Sequence, residues 1–304
     1  MTGFSLFPTS TGGGWPAWAP KALQRTVLQG GVVESVSPTL FILRCDLGGW
    51  PPGWPAGARS LKARACISIA TARSRRPTEL VTACSPHSPQ SEIVAAVARA
   101  LDVPATVYTG PAKRPNWGRH LHNAEALGAT VRHTKVGYNT VVAAAATRHA
   151  DGNADIVLIP FGMKCEAAVA QAATALEAVP SETRTVVVPV GSGVTLAGAI
   201  ATLAGRDVSM VGVAVGADPR PTLNSLARGW EGRHVTIVHP SEPYADPADA
   251  RGAPVPMHPL YEAKAWNWMT ALTAGALRGP VCFVVVGAPV GAPVGAPVDA
   301  KARA

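Results

Sequence analysis

The sequence predicts an α/β protein with two domains, in which mostly parallel β-sheets are wrapped by helices. Two observations indicate this class. From about residue 79 onward, short β-branched runs alternate with alanine-rich helical segments. The runs are apolar on both faces, which is typical of strands in a parallel sheet that helices cover on each side. Such sheets bind ligands beyond the carboxyl ends of their strands, so each strand-to-helix turn is a candidate site.

The elements follow one another in regular alternation. The predicted strands are the runs at 79–84, 105–109, 129–134, 155–160, 184–190, 209–215, 234–239 and 280–286. The predicted helices lie between them, at about 90–101, 116–127, 138–150, 164–178, 194–204 and 259–277.

Both ends of the chain break this alternation. Residues 1–60 are rich in Gly, Pro and Trp, and the stretch GGWPPGWPAGA at 48–58 is predicted to be an irregular surface loop. The tail at 287–304 begins with three copies of Gly-Ala-Pro-Val. Because a proline every four residues excludes both helix and central strand, we predict a low-complexity tail that is extended or disordered.

Composition indicates a globular chain with a substantial core. Of its 304 residues, 47% are hydrophobic and 15% charged. The 27 Lys and Arg outnumber the 19 Asp and Glu, which gives a net charge of +8. This excess leaves contact with nucleic acid open as a weaker alternative. The basic residues are scattered, however, and the cluster at Arg73, Arg75 and Arg76 is typical of a solvated loop.

Cysteine and histidine spacing gives no metal site and no disulfide framework. The five cysteines show no CxxC pattern, which favours reduced thiols. His120 and His122 have no acidic or Cys partner at suitable spacing, and we expect them to begin a surface helix. The N-terminus does not have the pattern of a signal peptide, and the apolar run at 280–286 is too short to span a bilayer. We therefore expect a soluble, cytoplasmic protein without membrane contact.

The turn in VVVPVGSGVTLAG is a candidate anion site. Gly191, Ser192, Gly193, Val194 and Thr195 join a buried strand to an alanine-rich helix. Glycines allow close backbone approach, and the N–H groups at a helix start, with the two hydroxyls, can hold a phosphate. The pattern alone is also compatible with ordinary strand–helix packing. A nucleotide P-loop is disfavoured because no Lys follows the second glycine, and a dinucleotide fingerprint would be expected earlier in the fold.

Two further stretches carry candidate site residues. The turn SPHSPQSE precedes the helix at 90–101, and its Ser88 and Gln90 lie where a helix N-terminus could receive a carboxylate. An ordinary serine-capped helix is the competing interpretation. Lys62, in the rather apolar stretch ARSLKARACISIA, could be partly buried. Burial lowers the pKa of a lysine amine and makes it a useful nucleophile, although a solvated lysine is the common case.

Six segments of the chain, taken in their order along the sequence, resemble motifs of fold-type-II pyridoxal-phosphate enzymes, which have the tryptophan synthase β-like fold. The resemblance is closest to the branch that contains 1-aminocyclopropane-1-carboxylate deaminase and D-cysteine desulfhydrase, and it covers roughly residues 40–287. The segments that carry it are LRCDLGGWPPGWPAGARSLKARA, SPHSPQSEIVAAVARAL, HNAEALGATVRHTKVGYNTV, LIPFGMKCEAAVAQAATAL, VVVPVGSGVTLAGA and HPLYEAKAWNWM.

The resemblance implies pyridoxal 5'-phosphate as cofactor and assigns roles to residues. Lys62 would form the internal aldimine with the cofactor aldehyde and then move a substrate proton. The turn at 191–195 would hold the phosphate. Ser88 and Gln90 would receive the carboxylate of a small amino acid, and Tyr261 would cover or protonate the substrate. The implied activity is that of a lyase or deaminase, and the family also implies a homodimer.

Four motifs depart from the family pattern. Pro89 stands where the family has an Asn, Ser60-Leu61 replaces Gly-Asn before the lysine, and His258 replaces Asp in the tyrosine motif. The expected Gly-Gly at the last strand end has become part of the repeat. Two alternatives therefore stay open: a cofactor-binding accessory protein without turnover, and an enzyme acting on an amino-acid adduct of a nucleic acid. The predicted domains are 66–158, and 1–65 together with 159–304.

Overall fold

The computed structural model describes residues 15–273 and 275–287 as two β-sheets and their covering helices. The strands are β1 (Val32–Ser37), β2 (Leu40–Arg44), β3 (Glu79–Ala83), β4 (Ala105–Thr109), β5 (Thr130–His133), β6 (Ile156–Ile159), β7 (Thr185–Val190), β8 (Ser209–Ala214), β9 (Val235–Val238) and β10 (Val281–Val285). The α-helices of these ranges are α1 (Lys21–Leu28), α2 (Leu61–Thr71), α3 (Gln90–Leu101), α4 (Arg119–Ala126), α5 (Asn139–Ala150), α6 (Glu166–Leu176), α7 (Val194–Leu203), α8 (Arg220–Leu226) and α9 (Glu262–Thr270).

The larger sheet has six strands in the order β1-β2-β10-β7-β8-β9. All its neighbours pair in parallel except β1 and β2, which form an antiparallel hairpin. Strand β10 lies inside this sheet, and its residues Cys282 to Val285 are completely buried. Burial of each such aliphatic or aromatic side chain contributes about 1.5–3 kcal/mol to folding. The predicted α/β class with mostly parallel sheets is therefore confirmed.

The smaller sheet has four parallel strands in the order β5-β4-β3-β6. Its central strands β3 and β4 are the most buried, as expected for strands with helices on both faces. Every strand predicted from residue 79 onward is found within a residue of its predicted bounds. The predicted helices are found too, although α9 is shorter than predicted and ends at Thr270.

The region before residue 60, to which the sequence analysis assigned no helix or strand, contains regular elements. Helix α1 and strands β1 and β2 lie there, and β2 (LFILR) joins the larger sheet beside β10. The stretch at 48–58 is not wholly at the surface, because Trp54 and Ala58 are buried. Its prolines and glycines form turns, as expected, but these turns pack onto the core.

Helix α2 was not predicted, and it lies between the two sheets. It packs against α3 and β6 on one side and against α6 on the other. Because almost the whole helix is buried, its sequence LKARACISIAT has no polar face and therefore no clear helical period. Arg64, itself 1% exposed, donates to the carbonyls of Gly30 and Leu47, both at 3.0 Å. These bonds fix α2 against the N-terminal segment.

One hydrophobic core runs through both sheets. It includes Leu80 of β3, Ile67 of α2 and Val186 of β7. The two sheets fall on either side of the predicted boundaries near residues 65 and 158, but the boundaries themselves stay a prediction because the core is continuous across them. Among the described residues, no helix has the length and apolar character needed to cross a bilayer. The predicted tail beyond residue 287 lies outside the described residues.

We predict that Gly198→Ala destabilises the protein although alanine favours helices. A Cβ at Gly198 of α7 would lie 2.4 Å from Cβ of Ala172 in α6, and 2.9 Å from two backbone atoms there. The helix gains about 1 kcal/mol in propensity, but forced repacking against backbone costs about 1–3 kcal/mol or more. Urea denaturation should show a lower midpoint for this variant.

The matched control is Gly205→Ala, just beyond the same helix, where an added Cβ would meet no atom within 4 Å. We expect its midpoint to stay close to that of the unmodified protein. Equal midpoints for the Gly198 and Gly205 variants would show that α6 and α7 can separate at no cost.

Candidate functional site

A cavity of about 650 Å³, including its open mouth, lies between the carboxyl ends of β7 and β10 and the starts of α2 and α3. We call it the central cavity. Its position, at the carboxyl ends of parallel strands, is where open α/β sheets bind ligands. The residues that line it are Gly57, Ser60, Lys62, Pro89, Ile93, Pro189, Val190, Gly191, Ser192, Gly193, Val194, Thr195, Leu196, His258, Tyr261, Glu262, Val286 and Gly287.

The turn at 191–195 forms one wall of the central cavity. It follows the fully buried strand β7 and leads into α7, whose first turn has no side-chain cap. The N–H groups of a first helical turn have no partner within the helix, and they carry the positive end of its dipole. The turn therefore presents several free donors, and the hydroxyls of Ser192 and Thr195 lie beside them. This wall can hold an anion such as a phosphate.

Glycine is required at two positions of this turn. Gly193 has φ of +90°, a conformation that L side chains rarely adopt. At Gly191, an added Cβ would lie 2.9 Å from Cε1 of Tyr261. The backbone is thus exposed to the cavity where a side chain would fill it, which is the arrangement that close approach of a phosphate needs.

Lys62 lies in the first turn of α2, and backbone bonds fix its position. The Ser60 hydroxyl accepts from the N–H of Ala63 at 3.2 Å and so caps the helix. The N–H of Leu61 donates to the carbonyl of Val286 at 2.9 Å, and Ser60 pairs with Gly287 in an isolated β-bridge. The start of α2 is therefore attached to the end of β10, and Lys62 and the turn at 191–195 line the same cavity.

The surroundings of Lys62 favour its neutral form. Burial lowers the pKa of its amine to about 8, and the nearby Lys164 ammonium contributes to the same direction. Within the described ranges, no hydrogen-bond partner of the Lys62 amine is present. About a tenth of this amine is therefore unprotonated at pH 7, far more than in an ordinary lysine, and the unprotonated form is the one that a nucleophile or a general base requires.

Glu262 is a buried carboxyl group that sequence reasoning did not select. It is 2% exposed, and its Oε1 accepts from the N–H groups of Val286 at 3.0 Å and Gly287 at 3.3 Å. Its Oε2 is buried without a partner among the described residues. Burial raises the pKa of Glu262 to about 7. This carboxyl group can hold or share a proton at the cavity wall, and its orphaned oxygen is suited to a polar group of a ligand.

Tyr261 and His258 complete the wall on this side. The Tyr261 hydroxyl lies 2.7 Å from that of Tyr244, and burial raises the pKa of Tyr261 well above its usual value. The phenol is therefore protonated and can donate or relay a proton. The Tyr261 ring lies 5.2 Å from the ring of His258, and His258 also lines the cavity.

Ser88 and Gln90 are not among the residues that line the central cavity. Gln90 is 1% exposed, and its Nε2 donates to Thr82 Oγ1 at 2.7 Å and to the Pro160 carbonyl at 2.8 Å. Ser88 Oγ accepts from the Gln90 N–H at 3.3 Å. Both side chains therefore make hydrogen bonds within the protein, and Pro89, which lies between them in the sequence, lines the cavity. Their role toward a substrate carboxylate stays a prediction.

The expectation for His120 was wrong in one respect. His120 begins α4 as predicted, but it is 4% exposed rather than at the surface. Its ring contacts Glu92 and His258, which lie far from it in the sequence. Nothing in the local pattern RHLHNAEA indicates these contacts. Among residues 15–273 and 275–287, no three His, Cys, Asp or Glu side chains form a group that could hold a metal ion.

Comparison with known proteins gives one family. The model of the family described as pyridoxal-phosphate-dependent enzymes matches residues 55–268, which include Lys62 and the turn at 191–195. No curated protein matches the chain.

Solved structures show the same fold at low sequence identity. An ACC deaminase homologue superposes with a TM-score of 0.63 at 17% identity, covering 88% of this chain and 95% of that one. The processed form of threonine deaminase isoform 2 from Solanum lycopersicum gives 0.60 at 14% identity, covering 88% and 87%. Maize serine racemase gives 0.57 at 18% identity, covering 88% and 92%. The fold predicted by the resemblance is thereby confirmed.

We predict that Glu262→Gln removes a loss of stability that accompanies the rise in pH from about 4.5 to about 7. The pKa of Glu262 is about 7 in the folded protein against an ordinary 4.5. As pH rises through this window, the unfolded chain releases a proton that the folded chain retains. The contribution of Glu262 to the free energy of unfolding should therefore fall by up to about 1.4 kcal/mol per pH unit in this window. The lowered pKa of His258, about 3 against an ordinary 6.5, acts in the opposite direction. The contribution of Glu262 is therefore obtained by comparing variants, by urea denaturation of the cofactor-free proteins at pH 4.5 and pH 8.

From pH 4.5 to pH 8, the free energy of unfolding of Glu262→Gln should change by roughly 3 kcal/mol more in the stabilising direction than that of the unmodified protein. Glu177→Gln, at an exposed position, serves as the control and should change as the unmodified protein does. If the stabilities of the Glu262 and Glu177 variants change with pH in parallel, Glu262 titrates as an ordinary surface carboxyl.

Proposed function

The chain belongs to the family of pyridoxal-phosphate-dependent enzymes, and from that premise we propose that it is a lyase or deaminase acting on a small amino acid. In this proposal Lys62 carries the cofactor and transfers the substrate proton. The observation that supports this proposal most is that Lys62, whose pKa is lowered, and the glycine turn at 191–195, which has no side-chain cap, both line the central cavity.

The residues of the central cavity fit pyridoxal 5'-phosphate. The N–H groups and hydroxyls at 191–195 provide donors for its phosphate, and the Lys62 amine can attach to its aldehyde. Glu262 Oε2 is an orphaned acceptor or proton carrier for a polar ring atom. When bound, the cofactor acts as an electron sink that weakens bonds to the α-carbon of an amino acid.

The protein's own residues would direct that chemistry. The neutral Lys62 amine can take a proton from the α- or β-carbon because burial and Lys164 keep its pKa near 8. Tyr261, held by Tyr244 and packed on Gly191, closes the cavity beside the turn and keeps its phenolic proton available. The walls are mostly apolar, and an environment of low polarity strengthens each of these interactions.

We keep Ser88 and Gln90 as proposed ligands of the substrate carboxylate. They lie at the start of α3, where N–H groups favour an anion. Binding there requires Gln90 to exchange its bonds to Thr82 and Pro160 for bonds to the substrate. A homodimer remains part of the proposal on the strength of the resemblance alone, and so does the weaker alternative of an amino-acid adduct of nucleic acid.

One observation favours a second candidate, an accessory protein that binds the cofactor without turnover. Pro89 lines the central cavity at the position where the family has an Asn. A proline side chain cannot donate a hydrogen bond to a ligand. Together with the internal bonds of Gln90, this leaves the start of α3 with few free donors toward the cavity. Turnover therefore has to be tested separately from cofactor binding.

We predict that Lys62→Ala abolishes attachment of the cofactor. The purified protein, incubated with pyridoxal 5'-phosphate, should become yellow, and borohydride should then fix the cofactor covalently to Lys62. Peptide mass spectrometry locates the modified lysine. In Lys62→Ala both the colour and the fixed cofactor should be lost, because no other lysine lines the central cavity in the part of the chain that the structure describes.

Lys164→Ala is the matched control, since Lys164 lies near Lys62 but does not line the cavity. It should retain both signals. Modification of a different lysine would overturn the assignment. Turnover is measured by exchange of α-protons in D₂O across a panel of amino acids. A protein that binds the cofactor at Lys62 but exchanges no proton would support the accessory protein instead.

A further inference from the structure

Three buried polar side chains from three separate elements form a continuous chain that ends at the central cavity. Glu92 lies in α3, His120 in α4, and His258 just before α9. They are 2%, 4% and 5% exposed. Glu92 and His120 belong to helices of the smaller sheet, whereas His258 belongs to the part of the chain that covers the larger sheet. The chain of side chains therefore connects the two sheets beside the cavity.

The hydrogen bonds determine which nitrogen of each histidine carries its proton. The N–H of Leu260 donates to His258 Nδ1 at 3.1 Å, so this nitrogen is an acceptor. A neutral His258 then carries its proton on Nε2, which lies 3.1 Å from His120 Nε2 and donates to it. His120 must in turn carry its proton on Nδ1, which donates to Glu92 Oε2 at 2.7 Å. Each member fixes the tautomer of the next.

His258 organises the start of α9. Besides the bond from Leu260 to its ring, its carbonyl accepts from the N–H groups of Tyr261 at 3.2 Å and Ala263 at 3.1 Å. Tyr261 and Glu262, which line the cavity, follow directly. The backbone carbonyl of His258 and, through Leu260, its ring together hold the backbone from which these two side chains begin.

The same bonds explain why a histidine can stand where the family has an aspartate. An aspartate carboxylate accepts a nearby N–H without further requirements. An imidazole that accepts through Nδ1 must donate through Nε2, so it needs a buried acceptor. His120 supplies this acceptor, and Glu92, which also accepts from Asn123 at 3.0 Å, stabilises the proton on the far side of His120.

We propose that Glu92, His120 and His258 form a positioning network, in which the Glu92 carboxylate fixes the tautomers of both histidines and thereby holds Tyr261 and Glu262 in place against the bound cofactor. None of the three acts on the substrate directly. The network keeps His258 neutral, and burial, followed by the effect of His120, lowers the pKa of His258 to about 3. The activity test of this network rests on the proposed function, whereas the tests of the histidine tautomers and of the cofactor affinity do not.

The first test measures the tautomers in the cofactor-free protein by long-range proton–nitrogen NMR with ¹⁵N-labelled histidine. Substitution of His120 and His258 one at a time assigns their signals. At pH 7 the expected result is a proton on Nε2 of His258 and on Nδ1 of His120. The opposite tautomer of either ring, or a doubly protonated His258, would overturn the proposal.

The second test compares two substitutions at the far end of the network. In Glu92→Gln the amide oxygen can still accept from His120 and Asn123, so both tautomers and the affinity for pyridoxal 5'-phosphate should stay within about threefold of the unmodified protein. In Glu92→Ala the acceptor is lost, His120 is free to carry its proton on Nε2, and its bond to His258 is broken. We expect the dissociation constant for pyridoxal 5'-phosphate, measured by absorbance titration, to be at least tenfold larger.

Glu79→Gln is the matched control. Glu79 also contacts a histidine, His149, at 3.1 Å, but on the smaller sheet and outside the central cavity. It should change neither the cofactor affinity nor the signals of His120 and His258. An equal loss in Glu92→Gln and Glu92→Ala, or no loss in Glu92→Ala, would contradict the network.

Activity then separates this inference from the proposed function. Where the unmodified protein exchanges α-protons, Glu92→Ala should lower the rate at least tenfold at saturating cofactor, and Glu92→Gln should restore it. If the unmodified protein exchanges no proton of any amino acid, the proposed lyase or deaminase activity fails. The tautomers and the cofactor affinities of the two variants still decide whether the network exists.

Discussion

The central cavity depends on the end of one strand. Strand β10 is buried inside the larger sheet, and the backbone groups of the two residues after it bind two other parts of the chain, the start of α2 and the side chain of Glu262. The Val286 carbonyl holds the start of α2, Gly287 pairs with Ser60, and both N–H groups bind Glu262. Because backbone groups make these bonds, the positions of Lys62 and Glu262 do not depend on which side chains follow the strand. This explains how the site can persist although the sequence after Val285 has become a repeat.

Sequence reasoning predicted the parallel strands well because each is a short apolar run that ends in a turn. It missed β2, whose run LFILR lies among glycines, prolines and tryptophans, since composition there indicated a loop. It missed α2 for the opposite reason. A helix that is buried on nearly every side has no amphipathic period, so LKARACISIAT resembles neither a surface helix nor an alternating strand.

The candidate site was predictable where chemistry and turn geometry coincide. Glycines before a helix indicate an anion site, and a lysine among apolar residues indicates a lowered pKa, so Lys62 and the turn at 191–195 could be selected from the sequence. Glu262 and the pair His120 and His258 could not. Their roles come from contacts between residues that are 24 and 138 positions apart, and such contacts follow from the sheets coming together.

The placement of α2 has a consequence for how the molecule can be divided. This helix belongs by sequence to the junction of the two predicted domains, and it gives hydrophobic surface to both. A cut before α2 would separate the Arg64 guanidinium from the Gly30 and Leu47 carbonyls that it binds. A cut after α2 would expose the surface of the helix that packs against α3, α6 and β6. The two predicted domains are therefore joined by a buried helix that both pack against, and not by a flexible linker. For that reason, engineered versions made by splitting or circular permutation should open the chain at surface turns and leave this junction intact.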